Sequence, residues 1–580
     1  MDNVTNPVIR KIHDDEKSLK IFDNELSNGN RKESKIIKEY PIVYIHNWKN
    51  KDKFDVYVGE SNDFFRRTKE HYDASSDPTQ WQHKLVNNDA FLYVIGHEHF
   101  NKSLTLDVEN KLIHYMISND RVKEVHNSRG NPQNSYYPME EFDSIFTKIW
   151  KQLRNDNQEL FPSESEIKDS AIYKASPLHK LTLEQKQARE LILQRVFETL
   201  ENKKRGQLIF VEGEAGTGKT VLNSSTFYEL YCRSEVNKKS LNSFLLVNHN
   251  EQVGVYKQIA AKLGLTEKYG EIVSKPTTFI NNHSIDEPVD VVFVDEGHLL
   301  LTQGKQSYTG NNQLQDIIDR SRVTVVMFDE NQILTTEQFW EAVELEKFKE
   351  QAQSSNNYLT LKNQLRMHAD KEMMEWIDAF TKYRQIRKAP THSDYVIQIF
   401  DDPKTLEEAI RKKADQKDFA LSRMVATYDW KYTSHKKSDP LDKRWEVTIG
   451  NWHKPWNYEL ERDLSKNEKK KIKDLAWAEQ PQTIDEIGST FTIQGFDLNY
   501  CGVILGPSVK YSDGKIIFDP DESCNQKAIR NRTLSDGSKR KFGDTLLQHE
   551  VRVLMTRGVN GMYIYACDDE LRKALKNAFE

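Results

Sequence analysis

The chain has 580 residues, more than one hydrophobic core organises, so several domains are expected. Hydrophobic residues make up 37% and charged residues 30%; no apolar run reaches the roughly 18 residues of a membrane helix, and the opening MDNVTNPVIRKIHDDEK lacks an apolar signal core, so a cytoplasmic globular protein without a membrane partner is expected. The net charge of −6 leaves a nucleic-acid partner open, because a local basic groove suffices, and Cys232, Cys501, Cys524 and Cys567 lack the spacing of a zinc cluster or disulfide framework.

Residues 1–38 read as a charged N-terminal arm. From Tyr40 the texture changes. PIVYIHNW and FDVYVGES are rich in β-branched and aromatic residues and read as two strands of a hairpin. SNDFF opens a helix with Asn62 or Asp63 as its cap. AFLYVIGH is a third strand, and TLDVENKLIHYMIS has helical spacing at Leu106, Val108, Leu112, Ile113 and Met116. A small α/β domain thus spans 39–153, and the polar, Ser- and Pro-containing stretch 154–178 reads as a linker. Four near-continuous apolar runs follow, QLIFVEG, SFLLVNHN, VDVVFVDEG and VTVVMFDE, with helical segments between them. A second set comprises DYVIQIF, MVATYDW, CGVILGP and GMYIYACD. Such alternation predicts two lobes with parallel sheets covered on both faces, 179–350 and 351–580. The fold class is α/β throughout.

The chemistry concentrates at Gly213-Glu214-Ala215-Gly216-Thr217-Gly218-Lys219-Thr220, between a strand and a helix. This is the phosphate-binding loop pattern in its required context. Its glycines let backbone N–H groups face phosphates, and the following helix adds its positive end. Lys219 is expected to reach the β- and γ-phosphates of ATP, and Thr220 to ligate Mg²⁺. The strand VDVVFVD delivers Asp295 as the second Mg²⁺ group and Glu296 to polarise the attacking water, while His298 either couples to the site or packs in the turn. One strand later, Asp329 and Gln332 stand where a glutamine reads the γ-phosphate. Gln185, before the P-loop, can meet an adenine edge with donor and acceptor, although alone it reads as a solvent-facing helix residue. Arg366 and Arg557 are the candidates to neutralise γ-phosphate charge, and Arg552 reads as structural.

The ordered run GEAGTGKT, VDEGH, DENQ, QLRMH, TFTIQGFDLNYCGVILGP and VLMTRGVNG resembles a superfamily 1 helicase. More closely, it resembles the bacterial P-loop ATPase family allied to the helicase domain of Schlafen proteins, over roughly residues 180–570. The resemblance implies two RecA-like lobes, ATP in their cleft and nucleic acid across their tops. It matches Thr492, Gln494, Gly495 and Asp497 to the motif that couples ATP to nucleic acid. Tyr428, Trp430, Trp452 and Trp456 can stack on bases, but each singly reads as core. The charged stretches 431–444 and 519–541 read as solvated loops.

The N-terminal domain resembles the GIY-YIG nuclease family through Ile42-Val43-Tyr44 and Tyr57-Val58-Gly59, with isoleucine where the family's first triplet begins in glycine. The resemblance carries over to Arg67, His71, Glu109 and Asn127. It implies one divalent metal, Mg²⁺ or Mn²⁺, on Glu109, a tyrosine base at Tyr44 or Tyr57, and Arg67 as the positive clamp on phosphodiester cleavage. Together the resemblances imply an ATP-dependent helicase or translocase joined to an endonuclease, with DNA favoured over RNA and genome defence or repair as its setting. The alternatives are an ATP-switched nucleic-acid sensor and an RNA-binding ATPase with a binding-only nuclease module. The sequence leaves homo-oligomerisation and defence-system partners open.

Overall fold

The computed structural model describes residues 4–74, 81–86, 89–127, 137–236, 241–305, 307–363, 365, 367, 371–390, 395–433, 444–473 and 475–579. Two compact units emerge. Unit 1 holds Met1–Lys180, Phe227–Ser240 and Val255–Val273; unit 2 holds Leu181–Thr226, Leu241–Gly254 and Ser274–Glu580.

Unit 1 is built on a five-stranded sheet of β1 (Val8–His13), β2 (Ile42–Asn50), β3 (Lys53–Ser61), β4 (Ala90–Gly96) and β5 (Val122–Val125), in the order β1-β4-β2-β3-β5. The expected hairpin is β2–β3, in register from Ile42↔Ser61 to Asn50↔Lys53. The helix α3 (Phe64–Asp73) starts where the Asp63 side chain accepts from the Arg66 N–H, which resolves the choice of cap. The long helix Lys102–Ser118 is capped by Asn101 and buries most of its length, Glu109 included. Of the charged arm expected over 1–38, the described residues from 4 onward are built into the domain. β1 pairs antiparallel with β4, and two helices, Glu16–Asn28 and Arg31–Glu39, bury Leu19, Phe22, Leu26, Ile36 and Ile37. β1 is an edge strand with charged residues on its exposed positions, so its sequence VIRKIH looks polar. Residues 154–178 are likewise built in. They carry the helices Glu164–Asp169 and Ala171–Ala175 and bury Leu160, Phe161, Ile167 and Ile172. Two of their serines start helices: Ser163 forms a capping box with Glu166, and Ser170 accepts from the Tyr173 N–H.

Unit 2 contains both expected parallel sheets. The first comprises β6 (Gln207–Gly213), β7 (Ser243–Val247), β8 (Val273–Ser274), β9 (Val289–Asp295), β10 (Ser321–Phe328) and β11 (Tyr358–Leu361), in the order β11-β6-β10-β9-β7-β8. β6 pairs in parallel with β10 and β11, and β9 with β10 and β7. The second is a four-stranded parallel sheet in the order Val396–Ile399, Gly558–Ala566, Leu498–Leu505, Arg423–Ala426. Trp456 is fully buried, with Tyr428, Trp430 and Trp452 packed against its cluster, as the core reading expects. Residues 519–541 are solvated only in part: 535–541 are exposed, whereas Ser523, Asn525, Ala528 and Arg532 are buried. The Arg532 guanidinium is buried and donates to Thr336 O at 2.7 Å and Thr302 O at 3.3 Å, so its charge is spent on backbone carbonyls. In the other stretch, 431–444, residues 434–443 lie outside the described ones. Among the described residues no helix is long and apolar enough to cross a membrane.

One contact within unit 1 has no counterpart in the motif reading. The Lys262 ammonium is buried and donates to Ile117 O at 2.8 Å and Asn119 O at 2.6 Å. Those carbonyls end the helix that carries Glu109, where the amine satisfies orphan acceptors, and burial lowers its pKa to about 7. Replacing Lys262 by methionine keeps the stem but strands the carbonyls. Lys262→Met should therefore lower unfolding free energy by roughly 1–3 kcal/mol, read from urea denaturation; an unchanged midpoint would show that the carbonyls are otherwise satisfied.

Candidate functional site

In unit 2 the strand register assembles the first site. β6 ends at Gly213, opposite Leu361 of β11, while β10 on its other side runs into Asp329. β9 ends at Asp295, paired with Val247. The carboxyl ends of parallel strands therefore present the P-loop, Asp295 and Asp329 along one edge. Gly216 and Gly218 have φ of 86° and 78°, a conformation that side chains resist. A Cβ on Gly218 would also lie 2.2 Å from Gln185 Nε2. The loop is thus a cradle that only glycine permits, which fits a phosphate-binding role.

Lys219 Nζ donates to Gly213 O at 2.7 Å and Glu214 O at 2.9 Å, and stands 3.6 Å from Asp329 Oδ2. Burial pushes the Asp329 carboxyl up, but Lys219, His298 and the Gln332 amide outweigh it and hold the group below its usual range. Gln332 Nε2 donates to Asp329 Oδ2 at 2.7 Å, and its Oε1 accepts from Arg557 Nη2 at 3.0 Å. Arg557 is fully buried, and a second nitrogen contacts Phe496 O at 3.4 Å. Arg557 precedes the strand Gly558–Ala566 of the second sheet, so the Gln332–Arg557 bond joins the two lobes. Glu296, just past β9, has φ of 50°, an unusual value for a residue with a Cβ and a local strain at the point expected to handle water. Its neighbour His298 is buried, with Nε2 3.4 Å from Glu296 Oε2, and burial lowers the imidazole pKa despite that carboxylate.

Gln185 does not face solvent. It is buried, closes a capping box with Thr182, and directs Nε2 at Gly218 O, 3.3 Å away. Thr492 hydrogen-bonds Ser489 O at 2.8 Å, Gln494 is buried, and Gly495, with φ of 85°, packs its α-carbon against Gln252, where a Cβ would lie 2.1 Å from Nε2. Thr220 lies in the first turn of the helix Lys219–Val236. Arg366 lies outside the described residues.

Arg552, read as structural, is held between two carboxylates. It lies on the helix Gly543–Met555, is 4% exposed, and ion-pairs with both Asp378 and Glu214 of the P-loop, the latter at 2.9 Å. Lys382 Nζ takes the other Glu214 oxygen at 2.8 Å. Two cations from the second lobe thus grip one P-loop carboxylate. Asp378 and Lys382 carry no motif signal; only the folded chain pairs them with a residue more than a hundred positions away. A cavity of about 720 Å³ opens beside this grip, lined by Gly213, Glu214, Thr217, Asp329, Asn331 and Thr360 among others. That volume suits a nucleotide-sized ligand.

In unit 1 the residues singled out by the second resemblance lie together. Tyr44 on β2 and Tyr57 on β3 stack with ring centroids 6.2 Å apart. Tyr44 Oη is 3.3 Å from His71 Nε2, and the Tyr57 and His71 rings meet edge-on at 5.0 Å. A Cβ on Gly59 would lie 2.6 Å from Tyr44 Cζ, so the glycine makes room for the ring. Burial raises the pKa of both tyrosines, and the Arg67 guanidinium opposes it in each case. Burial, with His46 and Arg67, lowers the His71 pKa to about 3, so the ring is neutral at physiological pH. Glu109 is buried and close enough to raise the Tyr57 pKa, and its Oε1 accepts from Asn127 Nδ2 at 3.0 Å. Asn127 also donates to Val58 O at 2.7 Å. The motif reading lacks His46, which sits opposite Tyr57 and bonds Asp14 at 2.6 Å, and Trp81, which stacks on Tyr57 at 4.3 Å.

Residues 206–568 match the family described as Schlafen group 3, DNA/RNA helicase domain. The uncharacterized protein YPL245W of Saccharomyces cerevisiae (strain ATCC 204508 / S288c) is 31% identical over 436 residues, covering 68% of this chain and 90% of its own length. Among solved structures, the Pif1 helicase from Candida albicans is 12% identical, covers 68% of this chain and 97% of that chain, and has a TM-score of 0.27. Mss116p bound to ssRNA and AMP-PNP is 11% identical, covers 67% of this chain and 64% of that chain, and has a TM-score of 0.26. Likeness at that level decides nothing about the ligands of this chain. The family match spans the P-loop, both parallel sheets and Arg557, and the chain belongs to the Schlafen group 3, DNA/RNA helicase domain family, with a helicase-like, ATP-hydrolysing P-loop domain that works with Mg²⁺.

Proposed function

We propose that this protein is an ATP-driven nucleic-acid translocase whose N-terminal domain is a metal-dependent phosphodiester endonuclease, acting on DNA in genome defence or repair. The observation that carries the motor reading is the Gln332–Arg557 bond between the lobes, next to the P-loop. A motor needs the bond-breaking site to be assembled from two bodies, so that hydrolysis changes how they meet. ATP would take the cavity beside Gly213–Thr220, with Thr220 and Asp295 holding Mg²⁺, which when bound neutralises phosphate charge. Lys219 exchanges its loop carbonyls for phosphate oxygens. Glu296 orients water from its strained turn, Gln332 reads the γ-phosphate, and Arg557 and Arg366 compensate the developing charge. Gln185 braces the loop from below, and Gln494 and Gly495 link the site to nucleic acid.

The nuclease reading is supported by the convergence of Tyr44, Tyr57, Arg67, His71, Glu109 and Asn127 in one cluster of unit 1. A single buried carboxylate held by an amide fits one divalent cation, Mg²⁺ or Mn²⁺, which supplies Lewis acidity to a phosphodiester when bound. Neutral His71 lies within hydrogen-bond distance of the Tyr44 hydroxyl, Tyr44 or Tyr57 orients the attacking water or serves as its base, and Arg67 neutralises phosphorane charge.

Three variants test these roles. Lys219→Ala should cut ATP hydrolysis at least about 100-fold, while wild-type hydrolysis should rise with single-stranded DNA, duplex DNA or RNA measured side by side; a rate indifferent to all three sinks the motor and leaves an ATP-switched sensor. Glu109→Ala should abolish Mg²⁺- or Mn²⁺-dependent cleavage and spare the ATPase; cleavage that persists puts the nuclease centre elsewhere. Arg552→Ala frees Glu214 from one of its two clamps and should lower ATPase kcat/KM about tenfold, the loss of one charge-assisted bond, with circular dichroism unchanged; an unaltered rate would make the grip merely structural.

A further inference from the structure

β3 and β5 pair in parallel, and the register sets Asp55 directly opposite Glu124. Opposite residues share a sheet face, and so does a residue two positions further along. His126 is that residue, and its N–H continues the pairing to Val56 O at 2.9 Å. One ligand atom each from Asp55, Glu124 and His126 consequently lie within 4.8 Å of one another.

This arrangement is costly as it stands. Like charges directly opposite on a sheet repel. Burial raises the Glu124 pKa and Asp55 adds to the rise, against Lys84 and Lys123. Asp55 is fully buried; Oδ2 accepts from Asn50 at 2.9 Å, but Oδ1 has no hydrogen-bond partner. The His126 side chain is 8% exposed, with Nδ1 3.3 Å from Glu124 Oε1, and its Nε2 is buried with no hydrogen-bond partner either. Lys84, 43% exposed and 3.7 Å from Glu124 Oε2, reaches only the rim. Buried polar atoms without partners call for an explanation, and an ion is a common one.

We propose that Asp55, Glu124 and His126 form a second divalent-cation site, one that takes Zn²⁺ and is separate from the Glu109 cluster. The donor set decides the metal. Two carboxylates and one imidazole suit zinc, with a fourth position for water, whereas Mg²⁺ and Ca²⁺ prefer oxygen alone. Zinc bonds of about 2.0–2.2 Å require the three side chains to draw in by roughly 1 Å. The role is a clamp. It ties the end of β5 to β3, and the next residue is Asn127, the donor to Glu109. Metal at His126 therefore positions Asn127; this consequence rests on the nuclease reading, and the site itself does not.

The test uses the full chain, stripped with a chelator and titrated with Zn²⁺ alone, then with Mg²⁺. Metal content after gel filtration and thermal unfolding are the readouts. Wild type should keep one Zn²⁺ and unfold a few degrees higher with it, and Glu109→Ala should do the same. Asp55→Asn and His126→Ala should bind at least tenfold more weakly and melt like the stripped wild type. Glu124→Gln, at a half-buried position where folding is not at stake, should show the same loss. Absence of Zn²⁺ from wild type, equal retention in all three variants, or loss of the ion in Glu109→Ala would each overturn the proposal. Failure of cleavage in Glu109→Ala with Zn²⁺ retained supports the clamp and the nuclease assignment separately.

Discussion

The in-register parallel pairing of β6 with β10 and β11 is the constraint on which the ATP site depends. Parallel strands end together, so one register places Gly213, Leu361, Phe328 and, one strand further, Asp295 at a common edge. Slipping β6 by one residue would turn its apolar side chains to the opposite face and carry the P-loop away from Asp329. Leu208, Ile209, Phe210 and Val211 are all buried, as a sheet covered on both faces requires, so the fit of side chains against the two layers, and not alternation, holds the register. Fully buried strands leave the loops as the only place for chemistry, and the P-loop is the loop where glycine, a helix N-terminus and a lysine coincide.

A second constraint acts on charge. Glu214 brings a carboxylate into a loop meant for phosphates, where it would repel the ligand. Arg552 and Lys382 compensate it from the other lobe. The compensation makes the carboxylate useful, because it turns an unfavourable charge into an attachment point between two bodies. Arg557 does the same through a neutral group, Gln332. The two arginines sit five residues apart at the end of one helix and the start of the next strand, so a shift of that helix moves both together.

This explains what was legible in the amino-acid sequence. Continuous apolar runs announce both parallel sheets, and local glycine patterns announce the P-loop, because those signals are short-range. Arg552 and Arg557 look alike locally; what separates them is Glu214, Asp378 and Gln332, distant in sequence. Charge misleads in the same way at Arg532, whose partners are the carbonyls of Thr302 and Thr336, and in β1, whose Arg10 and Lys11 pair with Glu33 and Asp156. Ser163 and Ser170 read as linker residues until the helices they cap are seen. Gln185 is the reverse case. Its amide reaches the P-loop because the capping box fixes the start of its helix, so a purely local device sets a long-range contact.

Unit 1 shows how a polar cluster survives inside a small sheet. Tyr44, His46, His71 and Asp14 are all buried, and each meets at least one other among β2, the helix Phe64–Asp73 and the turn before the first helix. Burial keeps His71 neutral and both tyrosines protonated, so Arg67, paired with Glu70 at 3.0 Å, is the cation, and Asp14 and Glu109 are carboxylates on either side of the rings. The geometry depends on Asn127, since its single amide bonds both the β3 backbone at Val58 and the Glu109 carboxylate. Asn127 in turn follows β5, the shortest strand of the sheet, paired only to β3. Four residues of edge strand are weak support for a residue that must hold a carboxylate in place. The neighbouring Asp55, Glu124 and His126 stand where extra cohesion is most needed, which is why a cation between them would matter to the cluster beyond the stability it adds.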